Sequence, residues 1–117
     1  MPTTNLTTGI RDVAEGVRVI DIRGEITAFS DEEMSKAHEE AGDGAKAVVL
    51  NFTDLEYMNS GGIGLLVTTL IRAQRSGHAL RAYGLSEHYQ EIFNLTRLDE
   101  AISIFDDEAS AVSGRRP

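Results

Sequence analysis

Cysteine is absent from this chain of 117 residues. The protein can therefore contain no disulfide framework, no thiolate zinc site and no cysteine nucleophile, and the absence fits the reducing cytoplasm. Apolar runs of membrane-spanning length are also missing, and the opening residues, MPTTNLTTG, lack the basic and apolar regions of a secretory signal peptide. We therefore expect a soluble cytoplasmic protein that has no membrane partner.

Positive charge is scarce, because 11 lysines and arginines stand against 19 aspartates and glutamates, for a formal net charge of -8. Such a charge repels phosphate groups, so the composition disfavours binding to nucleic acid or to an anionic membrane surface. The length corresponds to about one domain with a core of its own. The expected partner is a protein or a small ligand.

The first half of the chain predicts a β-hairpin followed by a helix. The segment VRVIDIRGEI, from Val17, alternates in the manner of a strand, and LTTGIRDVAEG before it indicates a weaker strand that ends in a turn at Glu15 and Gly16. In SDEEMSKAHEEA, Ser30 and Glu33 have the spacing of a capping box at the start of a helix. Apolar residues predict one narrow buried stripe on this helix and glycines predict its end: Met34, Ala37 and Ala41 for the stripe, Gly42 and Gly44 for the end.

The second half alternates strands and helices. KAVVLNF is short, apolar and rich in β-branched residues, which is typical of the central strand of a parallel sheet covered on both faces. Helices are predicted for GLLVTTLIRAQRSG, which Gly77 ends, for EHYQEIFNL, which Ser86 can cap, and for a last turn in DDEASAVSGRRP. ALRAYGL and AISIF have the pattern of further strands.

This order of elements predicts one α/β domain over residues 1–117. Its sheet is expected to be mixed and mostly parallel, with about five strands, and to be accompanied by about four helices. The polar ends, at about 1–5 and 110–117, are expected to be flexible tails.

One serine beside two glycines, in YMNSGGIG at residues 57–64, raises the question of catalysis. A nucleophile elbow requires glycine two positions before the serine, where this chain has Met58. A phosphate-binding P-loop requires lysine followed by serine or threonine after its last glycine, but Gly64 is followed by Leu65 and Leu66. A dinucleotide fingerprint fails at Val67, so neither nucleotide motif is present.

The histidines offer little for a metal site. His38, His78 and His88 lie in different predicted elements and lack the H-E-x-x-H spacing of a zinc-binding helix. We expect each of them on the surface, and we expect neither a metal nor another cofactor.

The serine is then interpreted through its position. Ser60 follows the predicted tight loop TDLEYMN and stands at the N-cap or first position of a helix, where a serine cap contributes about 1 kcal/mol. The glycines after it suit the close approach of a partner's backbone. A helical projection predicts a core stripe that consists of Ile63, Leu66, Val67, Leu70 and Ile71. The opposite side, a flat surface facing solvent, is expected to carry Gly61, Leu65, Thr68, Thr69 and Arg72.

The segment VVLNFTDLEYMNSGGIGLLVTTLIRAQRSGHALRAYGL resembles the signature region of the STAS domain, the family of bacterial anti-sigma factor antagonists and related stress-signalling modules. The family pattern is a buried strand, a D-L-x-x-[ML]-D-S-x-G loop, a helix and a further strand. The early GEI is similar to the family's usual strand end, G-x-[IL]. The resemblance covers nearly the whole chain, with two departures: Asn59 replaces the usual aspartate, and Gly61 replaces a second hydroxyl residue.

By position, the resemblance implies that Ser60 is a phosphorylation site. In the family's scheme the unphosphorylated protein binds an anti-sigma factor that is also a serine kinase of the histidine-kinase-like ATPase fold, and a sigma factor is released. Phosphorylation prevents that binding, and a PP2C-type phosphatase reverses it. The chain is then a non-enzymatic regulator of transcription in a stress response, and the expected partner-binding residues are Asn59, Gly61, Gly62, Leu65, Thr68 and Arg72.

Two other interpretations stay open at this point. In the first, the chain is a constitutive signalling scaffold, as in a stressosome, and Ser60 is only a helix cap. In the second, the chain is a small enzyme with Ser60 as its nucleophile, although the missing motifs disfavour this.

Overall fold

The computed structural model describes residues 5–115, over which five strands and four helices alternate in the predicted order. The strands are β1 (Leu6–Ala14), β2 (Val17–Ile26), β3 (Ala47–Met58), β4 (Ala79–Tyr83) and β5 (Ser103–Phe105). The helices are α1 (Asp31–Gly42), α2 (Ser60–Ser76), α3 (Glu87–Leu95) and α4 (Glu108–Ser113), and short 3-10 turns cover Ala28–Ser30 and Leu98–Glu100. The predicted α/β domain is confirmed.

The sheet has the strand order β1-β2-β3-β4-β5. Strands β1 and β2 form the predicted antiparallel hairpin, whose turn contains Gly16 with a φ of 71°. The other neighbouring strands pair in parallel, so the sheet is mixed and mostly parallel, and β3 is its central strand as predicted. All parallel strands therefore end at one edge of the sheet, which we call the carboxyl edge.

Helices cover both faces of β3, which explains its continuous apolar run. Val48 and Leu50 belong to the main core, together with residues of α1, α2 and α3. Ala47 and Val49 point the other way and pack in a second cluster with Ala111 of α4. Successive side chains of a strand alternate between faces, so a strand that is buried on both sides needs apolar residues at every position.

Strand β3 is longer than predicted. The segment TDLEYMN was expected to be a tight loop, but β3 continues to Met58 and pairs there with the end of β2, where Ile26 lies opposite Met58. The register shifts between Asp21 and Arg23 and again between Gly24 and Glu25. These irregularities allow the ends of β2 and β3 to stay paired. The pairing was not predicted, because neither strand end alternates apolar and polar residues.

The cap of α1 also differs from the prediction. Ser30 precedes α1 but makes no side-chain capping bond to it, so the expected box with Glu33 is wrong. The Ser30 hydroxyl accepts instead from the Thr27 amide at 3.0 Å, and the Thr27 hydroxyl accepts from the Phe29 amide at 3.2 Å. Ser30 is fully buried in the 3-10 turn, which directs its hydroxyl away from α1. The predicted stripe is confirmed, because Met34, Ala37 and Ala41 are all buried.

The C-terminal part of the chain makes tertiary contacts that were not expected of a tail. Residues 110–113, predicted to lie in a tail, form the end of α4, where Ala111 is fully buried. Arg81 Nη1 donates to the carbonyls of Ala111 and Val112, at 3.1 Å each, and so anchors the helix end to β4. The outer parts of the expected tails, residues 1–4 and 116–117, lie outside the described residues. Between residues 5 and 115 no helix has the length and apolarity needed to cross a membrane.

Candidate functional site

Ser60 is the first residue of α2 and lies exposed at the carboxyl edge. The cap of the helix is Asn59, whose side-chain oxygen Oδ1 accepts from the Gly62 amide at 2.9 Å. Of the two positions predicted for Ser60, the structure therefore selects the first helical residue and assigns the cap to its neighbour. Within residues 5–115 no hydrogen bond engages the Ser60 hydroxyl. The hydroxyl is thus exposed, and no hydrogen bond of the described fold depends on it.

Two glycines after Ser60 are required by the chain's own packing. A Cβ atom at Gly62 would lie 2.2 Å from the carbonyl oxygen of Ile26, and one at Gly61 would lie 2.9 Å from the Cβ of Ala28. The close-approaching backbone that the sequence suggested is therefore the end of β2 rather than a partner. Gly64 is different, because a Cβ there would meet nothing within 4 Å.

Helix α2 turns a different face to the sheet than the projection predicted. Leu65 is buried, with 7% of its surface exposed, whereas Val67 and Ile71 are 39% and 44% exposed. The expected solvent position of Leu65 is therefore wrong. The side that meets the sheet combines small residues with two leucines: Gly62, Leu65, Leu66, Thr69 and Ala73.

Small side chains explain this orientation. Gly62 and Ala73 let the helix backbone approach the sheet closely. Thr69 is 1% exposed, but its hydroxyl donates to the Leu65 carbonyl at 2.9 Å, so its burial leaves no donor unpaired. A projection that ranks residues by hydrophobicity alone misses such a face.

The predicted partner-binding residues divide by accessibility. Gly62 and Leu65 are buried, and Asn59 and Gly61 are half-buried. Thr68 and Arg72 are exposed, and Thr68 donates to the Gly64 carbonyl at 3.2 Å. Arg72 donates to the Ser35 hydroxyl of α1.

Two exposed aromatic residues near Ser60 were missed. Phe29, 64% exposed, follows Ala28, which touches Gly61. Tyr57, 48% exposed, lies two residues before the Asn59 cap. In the sequence, Tyr57 directly precedes the last residue of β3, and Phe29 follows the end of β2 by three residues.

These residues border the outer side of α2, where positions 60, 64, 67, 68 and 71 fall within one narrow arc. We call the exposed set the Ser60 surface; it consists of Phe29, Tyr57, Ser60, Gly64, Val67, Thr68 and Ile71. None of these seven residues has a charged side chain, α2 as a whole has no acidic residue, and its exposed arginines, Arg72 and Arg75, lie towards its other end.

The histidines are not all on the surface, as the sequence had predicted. His88 is exposed, but His38 and His78 are 4% and 6% exposed and face each other, with their Nε2 atoms 2.8 Å apart. Burial, with the nearby His78 and Arg72, lowers the pKa of His38 to about 4, and burial lowers the pKa of His78. This pair lies at the far end of α2 from Ser60, about 25 Å away along a helix of 17 residues. In the described part of the chain, no group of three histidine, aspartate or glutamate residues is placed to hold a metal ion.

Known proteins share this architecture. The STAS domain family model matches residues 10–111. An anti-sigma factor antagonist from Mycobacterium paratuberculosis is 23% identical, with a TM-score of 0.74, and the match covers 97% of this chain and 96% of that chain. The Bacillus cell fate determinant SpoIIAA, in its phosphorylated form, is 18% identical, with a TM-score of 0.69 and coverage of 93% and 100%.

A third structure extends the range of proteins that use this fold. A sulfate transporter family protein from Wolinella succinogenes is 18% identical, with a TM-score of 0.76, and the match covers 89% of this chain and 88% of that chain. The likeness in each case is one of fold. With a family model that matches 10–111 and a mixed five-stranded sheet over the described residues, this chain belongs to the STAS domain family.

Proposed function

We propose that this STAS domain is an anti-sigma factor antagonist whose partner binding is controlled by phosphorylation of Ser60. The unmodified form binds an anti-sigma factor that is also a serine kinase of the histidine-kinase-like ATPase fold, and a sigma factor is released. The kinase transfers the γ-phosphoryl group of ATP to Ser60, which prevents binding, and a PP2C-type phosphatase restores it. The domain is a cytoplasmic binding module and is not itself an enzyme.

The observation that carries this proposal is the exposed Ser60 hydroxyl, which has no role in holding the fold. Because Asn59 caps α2, modification of Ser60 removes no hydrogen bond of the folded chain. Solved proteins of the same fold include two described as an anti-sigma factor antagonist and as a phosphorylated cell fate determinant. The scaffold alternative assigned the cap to Ser60 and now lacks that support.

The physical chemistry of a phosphate at this position supports a switch. The amides of the first helical turn and the helix dipole favour an anion there by roughly 0.3 to 2 kcal/mol, so the modified domain stays folded. The phosphate also adds a charge of about -1.5 to -2 to a surface with no charged side chain. A docked partner would have to desolvate that charge. A loss of about 3 kcal/mol weakens binding more than a hundredfold.

Phosphorylation therefore acts by changing the Ser60 surface and not by refolding the domain. The buried residues Gly62 and Leu65 leave the proposed contact set, because a partner cannot reach them without disrupting the core. Val67 and Ile71 take their place as apolar contacts on the outer side of α2. Asn59, Gly61, Thr68 and Arg72 stay in the set, and Phe29 and Tyr57 extend it around Ser60.

Affinity capture from the host's own lysate tests the proposal. The baits are the wild type, Ser60→Asp and a control, Ser76→Asp, which places the same charge at the other end of α2. We expect a serine kinase of the histidine-kinase-like ATPase fold with the wild type and the control but not with Ser60→Asp. Incubation of the captured kinase with ATP and the wild type should then yield phosphopeptides that contain Ser60.

Two results would contradict the proposal. If all baits recover the same large assembly, the domain is a constitutive scaffold subunit and Ser60 has no switching role. If the kinase binds but modifies another residue, the antagonist role survives while the assignment of Ser60 is wrong.

A further inference from the structure

A buried pair of histidines, His38 and His78, joins two elements at the sheet edge opposite Ser60. His38 belongs to α1, and His78 lies between α2 and β4, 40 residues later in the chain. The two side chains line one wall of an open cavity of about 1070 Å³ between α1 and the end of α2. The binding proposal for Ser60 makes no use of this pair.

The rings meet end to end. Their centroids are 4.9 Å apart and their Nε2 atoms 2.8 Å apart, so each Nε2 points towards the other ring. This is hydrogen-bond geometry, in which one proton lies between the two nitrogens. Two imidazoles on one tetrahedral zinc ion, with bonds of about 2.0 to 2.1 Å, need nitrogens about 3.3 Å apart. The pair is therefore built to hold a proton rather than a metal.

A count of protons shows that the hydrogen-bonded arrangement suits the pair only when both imidazoles are neutral. Each neutral imidazole carries one proton, and one of these two protons fills the bond between the Nε2 atoms. If that shared proton belongs to His78, its Nδ1 atom carries none. Nδ1 of His78 is buried and has no hydrogen-bond partner among residues 5–115, so the bare nitrogen is the less costly state.

Uptake of a further proton makes it impossible for Nδ1 of His78 to stay unprotonated in the closed pair. With three protons on the pair and one of them shared, both Nδ1 atoms must be protonated. Nδ1 of His78 then becomes a buried N–H donor without an acceptor, on a pair that also bears a buried positive charge. Separation of the rings lets water from the cavity solvate both groups.

We propose that His38 and His78 form a proton-sensitive clasp between α1 and the start of β4, which is closed when both rings are neutral and opens when the pair takes up a proton. Opening frees the C-terminal half of α1 and the turn at Gly77 and leaves the Ser60 end of α2 in place. The clasp makes the packing of this edge depend on pH.

Charged groups face the cavity from several elements, and none of the acidic ones raises the pKa of His38 in the closed state. From α1 and the residue after it, Lys36, Glu39, Glu40 and Asp43 line the cavity. From α2, Arg72 lies close enough to disfavour a positive His38. From β2, Arg18 donates to the carbonyls of Ala41 and Asp43 at the end of α1. The lowered pKa values of both histidines agree with a closed state that resists protonation.

Gly42 provides the space that the closed clasp needs. A Cβ atom at this position would lie 2.7 Å from Cε1 of His78. Gly42 is also the last residue of α1. The side chain of alanine would press on the imidazole and hold the rings apart at any pH.

Amide hydrogen exchange as a function of pH tests the clasp, with each rate corrected for the intrinsic pH dependence of exchange. Protection of residues 38–44 and 77–79 should fall about fifteenfold between pH 6.5 and pH 5.0, because the open state takes up one extra proton at an ordinary histidine pKa of about 6.5 and is already half protonated at pH 6.5. Amides of the central residues 48–50 report global unfolding and serve as the internal reference, which should stay better protected than this edge at each pH. His38→Gln should abolish the effect, and His88→Gln, at an exposed histidine, should leave it unchanged.

The Gly42→Ala variant separates the clasp from a general effect of acid. Its protection at residues 38–44 should already be low at pH 7 and should depend little on pH. The proposal is overturned if wild-type protection at this edge does not change with pH, if it changes equally in His38→Gln, or if this edge and the reference residues 48–50 have the same protection at every pH, so that only global unfolding is observed.

Discussion

The two ends of α2 handle polar groups in opposite ways. At the first turn, the Ser60 hydroxyl is exposed and unused, while Asn59 and the glycines maintain the local structure. Just beyond the last turn, His78 is buried against His38, and its Nδ1 atom has no hydrogen-bond partner in the described part of the chain. A charge added to Ser60 at the first end of α2 would therefore be exposed to solvent, whereas a charge added to His78 beyond the other end would be buried in the core.

This difference explains which end suits reversible modification. A charge placed on an exposed group at a helix N-terminus costs the fold little, because water and the helix dipole stabilise it. A charge on a buried, paired group loses hydration and leaves a donor without an acceptor. Changes at the Ser60 end should therefore alter binding, whereas changes at the histidine end should alter stability.

The largest effect is expected where the Ser60 end rests on the sheet. Gly62→Ala places a Cβ 2.2 Å from the Ile26 carbonyl oxygen and 2.9 Å from Met58 Cγ, so the first turn of α2 must move away from β2. We expect a loss of about 3 kcal/mol in the free energy of unfolding, measured by urea denaturation.

Gly64→Ala is the matched control, two residues further along the same helix. Its Cβ would meet nothing within 4 Å, and alanine favours helix over glycine, so stability should rise by about 0.5 to 1 kcal/mol. Equal losses in both variants would show that the glycines serve helix flexibility and not the contact with Ile26.

The second-largest effect is expected from acid, which should lower the free energy of unfolding through the buried histidine pair. The pKa of His38 is about 4 in the folded state and lies below that of an unfolded histidine, about 6.5, so the unfolded chain binds more protons between these values. The contribution of neutral His38 to the free energy of unfolding is therefore complete above this pH window. It is lost as the pH drops through the window, by up to about 3 kcal/mol. Urea denaturation between pH 7.5 and pH 4 measures the slope.

His38→Gln should flatten this slope, and His88→Gln should not. Lower in the acid range, Asp21 acts in the same direction in all variants, because its hydrogen bond to Arg11 lowers its carboxyl pKa. An unchanged slope in His38→Gln would mean that the acid sensitivity comes from such carboxylates.

Cap substitutions should separate Asn59 from Ser60. Asn59→Ala removes the bond to the Gly62 amide and should cost about 1 kcal/mol. Ser60→Ala should cost almost nothing, because the serine hydroxyl holds no part of the described chain together. Thermal unfolding of both variants beside the wild type checks the order, and a larger loss for Ser60→Ala would reverse the assignment of the cap.

The smallest effects should come from one charge placed at either end of α2. Ser60→Asp should raise the free energy of unfolding by about 0.3 to 1 kcal/mol, and Ser76→Asp should lower it by a similar amount, because the helix dipole has opposite signs at the two ends. Unfolding at low ionic strength measures both. In about 1 M salt the difference should shrink, since the Debye length is then about 3 Å. A difference that persists in salt would point to a contact and not to the dipole.

Sequence reasoning succeeded for elements whose signals are local. The hairpin turn at Gly16, the central strand and the end of α2 at Gly77 follow from apolar periodicity and from glycine conformation, which neighbouring residues determine. It failed for the last part of β3, because residues 53–58 lack a regular apolar alternation and are held as a strand by pairing with the end of β2. Strand pairing of that kind has no signature in side-chain hydrophobicity.

Prediction of the site was partial for a related reason. The position of Ser60 at the start of a helix could be read from the residues around it. The orientation of α2 could not, because it depends on how closely Gly62 approaches Ile26, which is 36 residues earlier in the chain. As a result Leu65 was expected on the surface and the exposure of Val67 and Ile71 was missed.

The order of elements, the mostly parallel α/β architecture and the position of Ser60 at a helix start follow from the sequence alone, since each depends on short-range periodicity and turn chemistry. Three further features depend on tertiary packing: Asn59 caps the helix, Leu65 is buried and His38 contacts His78. These outcomes depend on distances between segments far apart in the chain. Such distances follow from the packing of α1 and α2 on one sheet, and no local pattern contains them.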